Sequence, residues 1–325
     1  MRAIVHEQFG EPEDVLHVHE RPTPEPGPGQ VRVRTTLATI HNHDLWTVRG
    51  TYGFVPELPA ASGTEAVGVV EALGEGVEAL AIGDRVVAGG VFGVWAEQFV
   101  ADARALIPAP VGLPDEAAAQ LVAMPFSAIS LLHDLSLEPG QWLVQNAANG
   151  AVGRMVAQLA RARGVRVVGL VRRREAVDEL REARIDDVVA TSEAGWRDRL
   201  EAITGGAAIA AGVDSVGGSA AGEVLEVVGD GGTLIVFGSM DVPVLELPVG
   251  ELIFKQKSVR GFWGSAVSRR MEAAVRQRLF AELAERITAG DLTLPVSSTH
   301  PFDDIRDAVR ASLTPGRVGK VLLRP

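Results

Sequence analysis

Trp142-Leu143-Val144-Gln145-Asn146-Ala147-Ala148-Asn149-Gly150-Ala151-Val152-Gly153 is the stretch on which the fold assignment turns. A short β-like run, Trp142–Gln145, passes through small and polar residues into a helical segment, Ala151–Arg163. In that segment Val152, Met155, Val156, Leu159 and Ala160 recur at i, i+3, i+4, i+7 and i+8, which makes one apolar helix face. Strand, glycine-bearing turn and amphipathic helix together describe a nucleotide-binding unit. Gly150 lets the backbone approach a pyrophosphate and Gly153 lets the helix pack closely on the strand. The helix N-terminus offers free N–H groups and a positive dipole end. Asn149, Gly150, Ala151, Val152 and Gly153 are therefore candidate cofactor contacts. Ala148 stands where G-x-G-x-x-G has its first glycine, so taken alone the run also describes an ordinary strand-to-helix turn.

The surrounding sequence supplies context. Downstream, β-like runs at Arg166–Val171, Asp187–Ala190, Ala211–Val216, Thr233–Gly238 and Ser258–Gly261 alternate with helical segments. With Trp142–Gln145 they make six strands, which predicts an α/β, doubly wound parallel sheet with the glycine turn at its first strand. The second strand runs into Arg172-Arg173-Arg174, where an NAD site has an acidic residue for the ribose 2′-hydroxyl. Cationic, fork-shaped donors suit a 2′-phosphate, so the predicted cofactor is NADPH. The plainer reading of the three arginines is a solvated charge run opening a surface helix.

Upstream, to about residue 110, short β-like runs such as Val31–Thr35, Ala66–Val70 and Arg85–Ala88 are punctuated by Gly and Pro, as in Pro22-Thr23-Pro24-Glu25-Pro26-Gly27-Pro28-Gly29. This predicts an all-β module, a partly open barrel. A last strand, Lys320–Leu323, is expected to return to it. The 325 residues allow two compact domains. No apolar run approaches the roughly 18–20 residues that span a bilayer, and the N-terminus reads as neither a signal nor a transit peptide. Without cysteine there is no disulfide and no thiolate metal site; a cytoplasmic location is expected. The net charge of −11 argues against nucleic acid as a partner.

Gly83-Asp84-Arg85-Val86, Asp214-Ser215-Val216-Gly217-Gly218 and the order of β-module, nucleotide domain and return segment resemble the medium-chain dehydrogenase/reductase superfamily. Further stretches are similar to its mitochondrial-type trans-2-enoyl-thioester reductases: Gly50-Thr51-Tyr52-Gly53 with Pro56-Glu57-Leu58-Pro59, Gln145-Asn146-Ala147 with Asn149, Val171–Arg174, Leu252–Lys255 and Arg260–Trp263. The resemblance implies a GroES-like partly open β-barrel catalytic domain, residues 1–116 and 265–325, and a Rossmann domain, residues 117–264. It makes Tyr52 the active-site tyrosine and Arg172 and Arg174 the 2′-phosphate ligands. Gly238-Ser239-Met240 and Phe262-Trp263 match segments that line the nicotinamide and acyl pocket. Where the family has Asn-Pro-x-Asp, this chain has His41-Asn42-His43-Asp44, so His41 and His43 are expected in the substrate pocket. A homodimer is also implied.

Zinc-dependent members of the superfamily carry Cys near the position of His41, His within Gly-His-Glu, and a later Cys or Asp. Here the triplet is Gly63-Thr64-Glu65 and the later position falls in Met124-Pro125-Phe126, so no catalytic metal is expected. Without a Lewis acid, conjugate reduction is the natural chemistry. The expected activity is NADPH-dependent reduction of the C=C bond of a 2-enoyl thioester, with Tyr52 giving or orienting the proton. Tyr52 read structurally is a turn aromatic. The acyl carrier, coenzyme A or phosphopantetheine, is anionic, and the basic segment Lys255–Arg278, with Arg269 and Arg270 near Trp263, is the candidate to meet it; a solvated helix start is the alternative. An NADPH quinone or enone reductase is the second reading, followed by a redox-silent NADPH-binding protein and a zinc alcohol dehydrogenase.

Overall fold

The computed structural model describes residues 1–325. Its strands, in chain order, are β1 (Arg2–His6), β2 (His17–Glu20), β3 (Gln30–Thr39), β4 (Ala60–Ala61), β5 (Glu65–Leu73), β6 (Arg85–Gly89), β7 (Gln98–Asp102), β8 (Leu106–Pro108), β9 (Trp142–Gln145), β10 (Arg166–Val171), β11 (Val188–Ala190), β12 (Ile209–Asp214), β13 (Thr233–Val236), β14 (Ser258–Gly261), β15 (Val296–Pro301) and β16 (Lys320–Arg324). The chain divides into two compact units, Met1–Met124 with Leu294–Pro325, and Pro125–Thr293.

The first unit is built on antiparallel pairing except at its edge, where β15 runs parallel to β16. One sheet runs β15-β16-β3-β5-β6-β8, with β7 also paired to β3, and a second runs β2-β1-β4. Along β3 buried Val31, Val33 and Thr35 alternate with the more exposed Arg32 and Arg34, as in a strand covered on one face, whereas β5 opens with a fully buried run, Glu65–Gly68. The return strand is where the sequence puts it: β16 pairs β3 at Leu322↔Thr39 and Leu323↔Ala38. Its core holds Ile4, Leu16, Ile40, Leu45, Trp95 and Phe302. Side chains of this size contribute about 1.5–3 kcal/mol each on full burial. Gly63 (φ +88°) is required where it stands, because a Cβ there would lie 2.1 Å from the Trp95 ring. Thr64 and Glu65 therefore enter β5 at a fixed place.

The second unit is a six-stranded sheet in the order β11-β10-β9-β12-β13-β14, parallel throughout. This is the doubly wound order that switches direction beside β9, so a crevice opens at the carboxyl end of that strand. All six strands stand within a few residues of their expected places. The expected domain ends do not hold. The junctions fall at 124/125 and 293/294 rather than 116/117 and 264/265. Residues 117–124 stay with the first unit because Glu65 and Thr39 bind their backbone. Helix Ala273–Thr288 stays with the second, where Phe280 stacks on Phe126 at 4.2 Å and Glu282 pairs with Arg163 at 2.8 Å. No helix is long and apolar enough to cross a membrane.

Candidate active site and nucleotide turn

The glycine turn is built from backbone. Gly150 caps helix Ala151–Ala162 without any side-chain cap, so the first-turn N–H groups remain available to an anion. A Cβ on Gly153 would sit 2.8 Å from the backbone of Ala147 and Ala148, so only glycine allows this approach of helix to turn. Gln145 Nε2 donates to the Gly153 carbonyl at 2.7 Å and fixes the same contact from the strand side. Asn146 ties β9 to β12: its amide donates to Asp214, and its oxygen accepts the Ser215 N–H at 2.7 Å. Ala147 holds a left-handed φ of 47°, which costs energy for a residue with a Cβ. Asn149, Ala151 and Val152 flank the turn half-buried, and the Asn149 carbonyl accepts from Arg154 Nε at 3.0 Å.

Arg172, Arg173 and Arg174 follow β10 and are exposed. Arg174 is engaged by Asp178 at 3.1 Å and Glu193 at 3.5 Å, while Arg172 and Arg173 make no ion pair and offer open guanidinium groups. Gly238-Ser239-Met240 follows β13, with the Met240 N–H bound to the Ser215 carbonyl. Phe262 and Trp263 follow β14 and differ. Phe262 is 5% exposed and stacks on Phe237, so it supports the wall rather than presenting a free face. Trp263 is 45% exposed, with the Arg269 guanidinium 5.3 Å from its ring centre. Trp263, Arg270, His133 and Ser130 line a cavity of 930 Å³. The basic segment is less open than its sequence suggests. The Lys257 ammonium is buried against the Leu225 and Glu226 carbonyls and the Glu251 carboxylate, Lys255 also binds Glu251, and Arg260 pairs with Asp134.

In the first unit the polar site is made of side chains. Helix Asn42–Arg49 starts at His41, whose N–H donates to Asp44 Oδ2 at 2.8 Å. Asp44 Oδ1 accepts the Thr64 hydroxyl proton at 2.7 Å, and His43 Nε2 lies 2.7 Å from the same hydroxyl oxygen. The carboxylate can only accept, so Thr64 must donate to it and accept from His43. That fixes Nε2 as the protonated nitrogen of His43. The His43 ring stacks on Tyr52, centres 5.6 Å apart, and on His41, centres 5.0 Å apart.

His41 was expected on the pocket wall and lies beneath it. It has no exposed surface, and its Nε2 sits 2.7 Å from Glu65 Oε2. Glu65 also accepts the N–H groups of Val122 and Ala123. Burial pushes the Glu65 carboxyl up to about 7 against the pull of those two donors. Burial likewise depresses the His41 imidazole, helped by the nearby Lys320 charge. Lys320 is itself buried and brought down to about 8, with Arg317 adding to the burial effect and Glu65 and Asp44 opposing it. Sequence reasoning missed Asp44, Glu65 and Lys320 as parts of one network. The available signal was an ionisable residue opening an apolar strand, as in Glu65-Ala66-Val67 and Lys320-Val321-Leu322.

Residues 27–111 match the alcohol dehydrogenase GroES-like domain family, and residues 151–280 the zinc-binding dehydrogenase family. The chain is 32% identical to the mitochondrial enoyl-[acyl-carrier-protein] reductase of Homo sapiens, over 99% of this chain and 88% of that protein. It belongs to the medium-chain dehydrogenase/reductase superfamily. Among solved medium-chain dehydrogenase/reductase structures, a putative NADPH:quinone reductase from Bacillus thuringiensis superposes with a TM-score of 0.91 at 26% identity, covering 100% of this chain and 98% of that one. The Escherichia coli quinone oxidoreductase complexed with NADPH gives 0.89 at 25% identity, with both chains fully covered.

Proposed function

We propose that the chain is an NADPH-dependent, zinc-independent reductase of the C=C bond of 2-enoyl thioesters, with coenzyme A or an acyl carrier protein as the carrier. The observation that carries this reading is Tyr52, the chain's one tyrosine, packed on a histidine whose ring is locked through Thr64 to Asp44. The 32% identity to an enoyl-[acyl-carrier-protein] reductase supports the same chemistry. NADPH, when bound, supplies the hydride for the β-carbon. Residues 149–153 bind the pyrophosphate at the uncapped helix start, and the open Arg172 and Arg173, with Arg174 beside them, hold the 2′-phosphate. Gly238, Ser239, Met240 and Trp263, at strand carboxyl ends, flank nicotinamide and acyl group, and Phe262 backs Trp263. As negative charge grows on the thioester oxygen, hydrogen-bond donors stabilise it. Tyr52 gives its phenol proton to the α-carbon, directly or through a water, and recovers a proton from solvent. His43 positions the phenol, with His41 behind it. The reading routes no step through a metal: Thr64 stands where zinc-dependent members carry a histidine ligand, and its hydroxyl is engaged by Asp44 and His43. We further propose a homodimer, supported by the open edge of β14 and the neighbouring exposed Phe254 and Ile253.

The likeness to quinone reductases favours one other reading, NADPH-dependent quinone or enone reduction. The test is NADPH oxidation measured side by side with short and long enoyl-CoA esters, quinones and aldehydes. Enoyl thioesters are expected to give the highest kcat/KM. A wide preference for quinones would replace the first reading by the second.

A further inference from the structure

The first unit carries a second cluster of ionisable side chains, apart from Tyr52 and the Glu65 network. β1 and β2 pair antiparallel with Ala3 opposite His19 and Val5 opposite His17. Side chains alternate across a strand, so His17 and His19 share one face, and Glu7, just past the end of β1, continues the same face as Ala3 and Val5. The two imidazole rings lie 4.4 Å apart, centre to centre. One ligand atom from each of Glu7, His17 and His19 lies within 4.8 Å of the others. Glu7 is exposed, makes no ion pair, and the two histidines are half-buried. β2 is the outer strand of its sheet, so nothing in that sheet covers the group.

One hydrogen bond gives this cluster direction. His17 Nδ1 lies 2.9 Å from the Val15 carbonyl, which can only accept. Nδ1 therefore carries the proton, and the neutral ring presents a bare lone pair at Nε2. A carbonyl holding the far nitrogen of an imidazole is the outer-shell arrangement that orients metal-bound histidines. Two imidazole nitrogens and one carboxylate suit a borderline divalent transition ion. They do not suit calcium or magnesium, which need shells built from oxygen.

We propose that Glu7, His17 and His19 form a zinc site on the β1–β2 ribbon, with water completing a tetrahedral shell. Ligand atoms around tetrahedral zinc stand roughly 3.4 Å apart, so side-chain rotation must draw these three together by up to about 1.4 Å. The half-exposed setting permits that without moving the strands. The ion pins the end of β1 to β2 and takes no part in the proposed reduction.

The full chain, stripped of metal by chelation, is titrated with zinc chloride by calorimetry, with no nucleotide or substrate present. One ion per chain with a micromolar Kd is expected. His17→Ala and His19→Ala should each weaken binding at least about tenfold, a floor set by the loss of even an outer-shell partner. Glu7→Gln should weaken it less. Cobalt substitution gives an independent readout, since visible absorption bands of a low-symmetry, nitrogen-ligated ion should appear in the unmodified chain and vanish in His17→Ala. Circular dichroism checks that each variant folds, and if His17→Ala does not, His19→Gln reads the same site. Absence of saturable binding, or binding undiminished in the double histidine variant, overturns the proposal. Enoyl-thioester turnover by His17→Ala is unaffected in either case, so this outcome is separable from any failure of the reductase reading.

Discussion

The two units build their polar sites from opposite materials. In the Pro125–Thr293 unit the working surface is backbone: an uncapped helix start, a glycine that no other residue can replace, and arginines left open beside it. In the other unit it is side chain on side chain, from Glu65 to His41, from Asp44 through Thr64 to His43, with Tyr52 at the end of the series. A backbone site tolerates many side-chain changes and is ready for an anion of any origin. A wired site has every member holding another, so loss of one disturbs the rest. The first arrangement suits a ligand common to many enzymes, and the second suits a step particular to one.

The sharpest test of that contrast is Tyr52→Phe. General acid catalysis contributes about 10²–10⁴-fold, and both kcat and kcat/KM for an enoyl thioester should fall by this order while NADPH affinity stays unchanged. Quinones take protons readily from water, so the same variant should retain most of any quinone turnover. Full enoyl-thioester activity in Tyr52→Phe would remove the tyrosine from the chemistry.

Next in size is Glu65→Ala. It leaves the N–H groups of Val122 and Ala123 and the buried Lys320 charge without their carboxylate. Each buried N–H left without its acceptor costs about 1–3 kcal/mol, to be read as a loss of unfolding free energy in denaturant. A loss under about 1 kcal/mol would mean that the network is not wired as described.

The backbone-built site should respond more mildly. Arg172→Ala should raise the NADPH Kd by about tenfold, the value of one charge-assisted hydrogen bond, and leave NADH affinity alone. Arg174→Ala should do less, because Asp178 and Glu193 already hold that side chain. Equal affinity of the unmodified chain for both cofactors would break the assignment.

A pH slope tests the wired site from another side. The folded chain holds a proton on Glu65 up to about 7 that the unfolded chain gives up near 4.5. The stability this group contributes is thus complete below 4.5 and is lost as pH rises through 7. His41, depressed by burial, acts in the opposite sense below 6.5. The informative quantity is therefore the difference between the unmodified chain and Glu65→Gln. That difference should shift in favour of the glutamine variant between pH 5 and pH 8, and a flat difference would place the Glu65 titration elsewhere.

The same contrast explains what the sequence disclosed. The glycine turn, the amphipathic helix after it and the arginine run depend on neighbours a few positions apart, and local spacing reads them directly. The Glu65 network joins residues 41–44, 64–65 and 122–123, distant along the chain, with 320, which the pairing of β16 with β3 adds to the unit. His41 was misplaced for that reason: its Glu65 partner lies 24 positions away and holds it beneath the surface. The extent of the second unit was underestimated for a similar one, since Phe126–Phe280 and Arg163–Glu282 are contacts between distant positions.

Lysine is scarce in this chain, at positions 255, 257 and 320, and the lysines at 257 and 320 are closed off by burial. The Lys257 ammonium has its three protons directed at two carbonyls and a carboxylate, and Lys320 is buried in the first unit. Amine-directed reagents therefore have a single side-chain target, Lys255, three residues ahead of the open edge strand β14. A fluorophore or crosslinker attached at near-neutral pH, distinguished from the N-terminal amine by peptide mapping, becomes a site-specific probe of that edge without any engineered cysteine.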